Sequence, residues 1–201
     1  MSAAPTVAAI VLAAGRGTRF GDDPKLLAEL DGKPLVRHAV ETALAAHLPT
    51  MVVLGHRAAD IRTALADLTV GFVGNPAYAD GLSTSLKAGF AALPMGPEAA
   101  IVLLGDMPML DRELLSRLIA TWDKAGRPSA VIPVAEGRRG NPVLLSRRLA
   151  PAIATLTGDS GAGLLLRSVA DVVEMPVETP GVLIDIDTPD ALARLTHQPA
   201  T

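Results

Sequence analysis

The chain of 201 residues contains no cysteine. That single absence excludes a disulfide framework, thiolate zinc sites, iron–sulfur ligation and a cysteine nucleophile. Aromatic side chains are scarce as well: Phe20, Phe72, Tyr78, Phe90 and Trp122 are too few for a stacking platform on single-stranded nucleic acid. Charge of one sign is not in surplus, since 18 Lys and Arg face 21 Asp and Glu for a net charge of −3. A broad nucleic-acid or anionic-membrane surface is therefore not expected. The four histidines, His38, His47, His56 and His197, include no i, i+4 pair, which argues against a helical histidine metal site. Long hydrophobic runs are missing too. The run from Val7 to Ala14 is far shorter than the ~20 residues of a membrane span, and no basic segment precedes it. The expectation is a soluble cytoplasmic protein with small-molecule substrates.

Glycine and proline, at 18 and 16 residues, are what the chain has in excess, and they imply many ordered loops. At this length one compact domain over 1–201 is expected, large enough to hold a core without a staple. Val7 to Leu12, Met51 to Leu54 and Ile101 to Leu104 are short apolar runs that read as buried strands, each stopped by a glycine: Gly15, Gly55 and Gly105. Helical patterns lie between and after them. One opens at Pro34 and recurs through Leu35, Ala39, Val40, Ala43 and Leu44; another is capped by Asp111 and carries Leu114, Leu115, Leu118, Ile119 and Trp122 on one face up to Gly126. Asp60 to Leu68 and Ser83 to Leu93 are shorter candidates. Ala130 to Val134, a turn over 136–140, and Pro142 to Leu145 suggest a hairpin or paired excursion. The alternation predicts an α/β fold, a mostly parallel, mixed central sheet with helices on both faces. In such a sheet, ligands sit beyond the carboxyl ends of the strands.

The loop after the first strand, Leu12-Ala13-Ala14-Gly15-Arg16-Gly17-Thr18-Arg19-Phe20-Gly21-Asp22-Asp23-Pro24-Lys25, joins three glycines to three cations. Backbone N–H groups in such a loop can wrap a polyphosphate while Arg and Lys neutralise its oxygens. The Walker pattern fails, because Asp22 follows Gly21. The dinucleotide fingerprint fails as well, because the third glycine comes one place late and no helix is expected to start in the loop. Glycine content by itself also suits an ordinary α/β connection.

Leu12-Ala-Ala-Gly15, Arg19-Phe-Gly21, Pro24-Lys25-Leu-Leu27 and Gly32-Lys-Pro-Leu35, in that order, resemble the signature of nucleotidyltransferases with the glycosyltransferase-A-like fold, a Rossmann-like nucleotide-diphospho-sugar transferase architecture. The later stations resemble one branch, the molybdenum cofactor cytidylyltransferases: Asn75 to Asp80 with Gly81-Leu-Ser83-Thr-Ser85-Leu-Lys87, Gly105-Asp106-Met-Pro108, Arg138-Arg-Gly140-Asn141-Pro142, Gly158-Asp159-Ser-Gly161-Ala162, and Asp185-Ile-Asp187-Thr-Pro189. The resemblance implies transfer of CMP from CTP to the phosphate of molybdopterin, with Mg²⁺ as cofactor and release of pyrophosphate. Ala14-Gly15, where related guanylyltransferases tend to carry Gly-Gly, leans the base toward cytosine.

By the same resemblance, Leu12, Ala13, Ala14, Gly15, Arg16, Gly17, Arg19, Lys25, Asn75, Gly81, Ser83, Gly105 and Asp106 bind the nucleotide. Arg19, Lys25 and Asp106 carry catalysis. Ser85, Arg139, Gly140, Asn141, Pro142, Asp159 and Gly161 face the acceptor. Asp106 directly follows an apolar strand, where a carboxylate suits Mg²⁺ or caps a turn. Asp185 and Asp187 alternate with Ile184 and Ile186, so on a strand they share a face; Asp187 is expected nearer the metal, or else caps a helix at Thr188-Pro189. Ser83 to Ser85 also suit a helix start, and His56 and Trp122 read as turn and core residues.

Two stations depart from the family: Asn141 stands where Gly-His-Pro is frequent, and Gly163 where Gly-Ala-Arg is frequent. Arg167, Arg138 or Arg139 are the candidates to compensate. The alternatives are a guanylyltransferase for the same cofactor, a cytidylyltransferase of a sugar or polyol phosphate, and a non-catalytic carrier or chaperone in contact with a molybdoenzyme.

Overall fold

The computed structural model describes residues 6–21 and 24–196; Asp22, Asp23 and His197, named above, lie outside them. Among the described residues ten strands run in chain order: β1 Val7–Ala13, β2 Glu29–Leu30, β3 Lys33–Pro34, β4 Thr50–Leu54, β5 Gly71–Gly74, β6 Ala99–Leu104, β7 Ala130–Ala135, β8 Arg138–Arg139, β9 Val143–Ser146 and β10 Val172–Pro176. Seven helices accompany them: α1 Leu35–Ala45, α2 Ala58–Ala64, α3 Leu82–Ala91, α4 Arg112–Lys124, α5 Ala150–Ala154, α6 Ala162–Leu165 and α7 Pro189–Thr196. The main sheet has the order β10-β7-β9-β6-β1-β4-β5, with β8 on β7, while β2 and β3 form a separate small hairpin. β1 is flanked by parallel β4 and β6, β5 adds in parallel, and β7 pairs in parallel with β10.

The continuous apolar run of β1 has its cause in the two faces it serves. Val7, Ala9, Val11 and Ala13 join the core packed against α1, α2 and α4, whereas Ala8, Ile10, Leu12 and Ala14 join the core under α3, α5 and α6. α3 approaches so closely that a Cβ on Gly89 would lie 2.6 Å from Ile10 Cγ2. On the other face Trp122 is almost wholly buried and donates its indole N–H to the Pro128 carbonyl at 2.9 Å. The cap at Asp111 forms as expected, its carboxylate accepting from the Leu114 N–H at 2.8 Å.

The paired excursion expected after Gly126 is present: β9 runs antiparallel to β7 and inserts between it and β6, with the tight turn of β7–β8 passing through Glu136 and Gly137 at φ of 52° and 69°. Other expectations are corrected. Two 3-10 turns start inside the first loop, Thr18–Phe20 behind the left-handed Gly17 and Lys25–Leu27 at its end. Residues 184–187 pair in no strand, so Asp185 and Asp187 do not share a strand face. Asp187 does not cap α7 either, because Thr188 Oγ1 accepts from the Ala191 N–H at 3.2 Å. A small third cluster of Phe20, Leu30, Leu35 and Ile186, with Leu192 packed on it, ties α7 and the 184–187 segment to the first loop.

Candidate active site

At the carboxyl edge of the sheet three chain segments are drawn together by backbone contacts that leave no room for side chains. Gly105 N–H donates to the Leu12 carbonyl at 3.0 Å, and His56 N–H donates to the Ala14 carbonyl at 3.0 Å. A Cβ on Gly55 would stand 2.7 Å from the Ala14 oxygen and 2.6 Å from Tyr78 Cβ. Gly17 sits at φ 61°, and a Cβ there would be 2.7 Å from Lys25 Cβ; only glycine lets the lysine lie against the loop. Lys25 itself opens a 3-10 turn, Lys25–Leu27, closed by the Leu27 N–H on the Pro24 carbonyl at 2.8 Å.

The side chain of Lys25 is 9% exposed, and its Nζ lies 2.5 Å from Asp106 Oδ2 and 2.6 Å from Asp187 Oδ1. Arg19 Nη1 reaches the other oxygen of Asp187 at 2.7 Å from a side chain that is 76% exposed. Burial alone would lower the Lys25 pKa, but Asp106 and Asp187 together outweigh it and hold the ammonium above its ordinary value. The Lys25 hydrogen bond holds the Asp187 carboxyl below the usual carboxylate range against partial burial, with the charges of Lys25 and Arg19 adding to the shift. Asp106 Oδ1 is buried and has no hydrogen-bond partner among the described residues. Asp106, Asp185 and Asp187 each offer an oxygen within 4.8 Å of the others. Carboxylate oxygens are hard donors suited to a small divalent cation, and an orphaned buried oxygen carries a desolvation cost that such a cation would remove.

These groups line a cleft of about 440 Å³, with Leu12, Ala14, Gly15, Arg16, Gly17, Arg19, Lys25, Gly81, Ser85, Asp106, Asp159 and Asp187 among its walls. Tyr78, Ala79, Leu82, Thr18, Leu26 and Leu104 also line it and escaped the sequence reading. Tyr78 is the one with a visible signal, as the only tyrosine of the chain; the Arg16 guanidinium stands 5.8 Å from its ring centre. A larger cavity of about 630 Å³ lies at the opposite rim, near Glu98, Arg127, Arg147 and Arg148. Its charges are largely matched, since Arg127 pairs with Glu98 and Asp123 and Arg148 with Asp171.

Other expected site residues do not line the cleft. Ala13 is buried toward the α1 face of the sheet, and Gly105 is packed on the Leu12 backbone. Asn75 is spent inside the fold, donating to Thr84 Oγ1 at 2.8 Å and Ser85 Oγ at 3.0 Å and accepting from the Ala77 N–H; it fixes the start of α3. Ser83 is fully buried, with its Oγ unpartnered among the described residues. Arg139 turns to Glu174 on β10 at 2.7 Å. Gly140 is pressed on Val182, whose oxygen would be 2.4 Å from a Cβ, and Asn141, followed by a cis bond to Pro142, donates its N–H to the same oxygen. Gly161 packs on Leu82. Arg138 and Arg167 are exposed and also lie off the cleft.

The MobA-like NTP transferase domain matches residues 9–173. Nicotine blue oxidoreductase of Paenarthrobacter nicotinovorans is 32% identical over 200 residues, 95% of this chain and 97% of that protein. The crystal structure of Rv0371c from Mycobacterium tuberculosis H37Rv superposes with a TM-score of 0.83 at 27% identity, covering 96% of this chain and 98% of that one. Its complex with manganese superposes at 0.82 and 26%, covering 97% and 100%; a divalent metal is thus bound by a similar structure. Among the described residues of the present chain, no helix is long and apolar enough to cross a membrane. A domain match over most of the sequence and a relative above 30% identity along nearly all of it place this protein in the MobA-like NTP transferases, a family of nucleotidyltransferases.

Proposed function

We propose that the protein transfers CMP from CTP to the phosphate of molybdopterin, with Mg²⁺ as the metal and pyrophosphate as the second product. The observation that carries this reading is the Lys25 ammonium held between Asp106 and Asp187, with a buried Asp106 oxygen left free, beside a glycine loop bearing Arg16 and Arg19. Asp106 and Asp187, with Asp185 at hand, are the residues to hold Mg²⁺. Bound there, the metal would supply charge neutralisation of the triphosphate.

The loop N–H groups and Arg16 hold the triphosphate, and Lys25 and Arg19 exchange their carboxylate partners for phosphate oxygens. An acceptor phosphate oxygen attacks the α-phosphorus in line; the new P–O bond forms as the α–β bond breaks, and its electron pair leaves with pyrophosphate. An ionised phosphate is a nucleophile at neutral pH, so positioning and charge stabilisation suffice. The unit is proposed as one domain over 1–201, acting in the cytoplasm with transient contact to a molybdoenzyme or its chaperone.

A second reading comes from the oxidoreductase name of the full-length relative, since a dinucleotide shares the base and pyrophosphate of a triphosphate. The carboxylate–lysine array favours transfer. Purified protein is mixed with Mg²⁺, molybdopterin or a sugar phosphate, and CTP, GTP, UTP or ATP, with pyrophosphate as readout. Parallel samples follow oxidation of reduced nicotinamide dinucleotides with a soluble quinone added as two-electron acceptor. Pyrophosphate from CTP with molybdopterin is expected; oxidation of the dinucleotide without pyrophosphate from any pair would overturn the assignment.

A further inference from the structure

The cavity of about 630 Å³ at the opposite rim of the sheet lies outside the catalytic cleft and is walled in part by Arg127, Arg147 and Arg148. Two of these arginines are occupied. Arg127 pairs with Glu98 and Asp123, and Arg148 reaches Asp171 at 3.5 Å while donating to the Arg127 carbonyl at 2.7 Å. Arg147 has no ion pair among the described residues. Its Nη2 donates to the Pro94 carbonyl at 2.6 Å, and its Nε is buried with no acceptor among those residues. A buried donor without an acceptor carries the cost of an unmade hydrogen bond, and an anion in the cavity would relieve it by drawing the guanidinium round. The main chain beneath is fixed, since Arg147 N–H donates to the Glu98 carbonyl at 2.7 Å. Ser146, only 3% exposed, shares the wall; its Oγ accepts from the Arg148 N–H and Nε at 3.3 and 3.2 Å and keeps its own hydrogen to give.

Glu98 is the single carboxylate on this wall, and both its oxygens already accept from Arg127 Nη1. The surplus charge is therefore positive and sits at Arg147. A hydroxyl beside two guanidinium forks suits oxygens arranged around a central atom, as on phosphorus, better than the two coplanar oxygens of a carboxylate. The volume is that of a small-molecule pocket, and Met95, Gly96 and Pro97 add wall without charge. We propose that this cavity is a second binding site, which takes a small phosphate-type oxyanion on Arg147 with Ser146 and Arg148 beside it. The site is separate from the cleft and does not depend on the transfer reading.

Phosphate is also drawn to the cations of the first loop, so two sites have to be told apart. Inorganic phosphate, pyrophosphate and ribose 5-phosphate, with citrate at matched ionic strength, are titrated calorimetrically into parent protein, Arg147→Gln, Arg147→Lys and Lys25→Ala. Fluorescence of Trp122 locates the event, because it is the only tryptophan of the chain and part of this wall, with the Arg127 guanidinium 5.1 Å from its ring centre. One binding component is expected to weaken about tenfold or more in Arg147→Gln, the scale of a hydrogen bond to a charged group. It should be partly kept in Arg147→Lys and survive, with its Trp122 signal, in Lys25→Ala. Such a component with any of the three phosphates supports the site, and their order of affinity identifies which one it takes. Binding indifferent to Arg147, or citrate held as tightly as the best phosphate, overturns the inference. Should Arg147→Gln lose its fold along with the Pro94 bond, Arg148→Gln is expected to weaken the same component, and an unaltered affinity there overturns the inference as well.

Discussion

The backbone N–H of Ile186 donates to the carbonyl of Asp106 at 3.0 Å. Two residues 80 positions apart are thereby held in register, and the next residue, Asp187, is delivered to the ammonium that Asp106 already holds. Ile186 is itself locked in the cluster of Phe20, Leu30 and Leu35, so the first loop and the 184–187 segment are positioned as one unit.

Metal affinity should follow that register. Mn²⁺ binding, read by calorimetry, is expected to fall at least tenfold in Asp106→Asn and Asp187→Asn and less in the exposed Asp185→Asn. An equal loss in all three would make Asp185 a full ligand; no loss in Asp106→Asn would remove the site.

Lys25 competes for the same oxygens that a cation would take. Lys25→Ala is expected to bind Mn²⁺ more tightly than the parent while losing about 2–4 kcal/mol of transition-state stabilisation, roughly 30- to 900-fold in kcat/KM. Weaker metal binding in the variant would show that the ammonium organises the carboxylates instead of occupying their place.

Two glycines separate packing from conformation. Gly81→Ala meets backbone at 2.3 Å from a φ of 110°, whereas Gly163, in α6, has nothing within 4 Å of a Cβ. The first substitution should cost about 1–3 kcal/mol, and the second should leave thermal stability equal or slightly higher. Denaturant midpoints of both variants decide the point.

On the far side of α1, Arg37 grips Asp67 with two hydrogen bonds at 2.7 and 2.6 Å. The Arg37 hydrogen bonds hold the Asp67 carboxyl down at about 2, from an ordinary value of 3.8. A carboxyl depressed in the folded state stabilises above its unfolded pKa, and that contribution disappears as pH falls through the folded one. The difference in melting temperature between the parent and Arg37→Met should therefore be constant above about pH 5 and shrink between about pH 4 and pH 2. A difference that stays constant to pH 2 would show that Arg37 acts through its packing and its bond to the Ala64 carbonyl alone, since its carboxylate partners Asp67 and Glu41 both titrate.

What could be read from the chain beforehand were the places where local chemistry and tertiary role agree. β1, β4 and β6 announce themselves because strands buried on both faces must be apolar throughout, and the α4 cap is visible because Asp111 stands just before an amphipathic run. β5 and β10 escaped notice. The first is Gly-Phe-Val-Gly, and the second ends in proline with Glu174 at its middle; each depends on a neighbouring strand more than on its own pattern. In the candidate site, Arg19, Lys25, Asp106 and Asp187 are brought together, but only Asp106 directly follows a strand-ending glycine; Asp187 arrives from a segment outside any strand. Asn75, Ser83 and Arg139 do not reach the cleft. A polar side chain that caps a helix start or pairs across strands looks, in sequence, the same as one that faces a ligand.

The reversed strand β9 gives this rim an unusual supply of chain. Because β9 runs against β6, pairing Val143 with Val102 and Ser146 with Ala99, the residues that enter it, Gly140 to Pro142, arrive at the edge where β6 gives up Gly105 and Asp106. One border of the sheet is thus fed by strand exits and by a strand entrance. A bulkier residue at Gly140 would press first on the Val182 backbone, and so on the chain that goes on to Asp187, before it met Asp106.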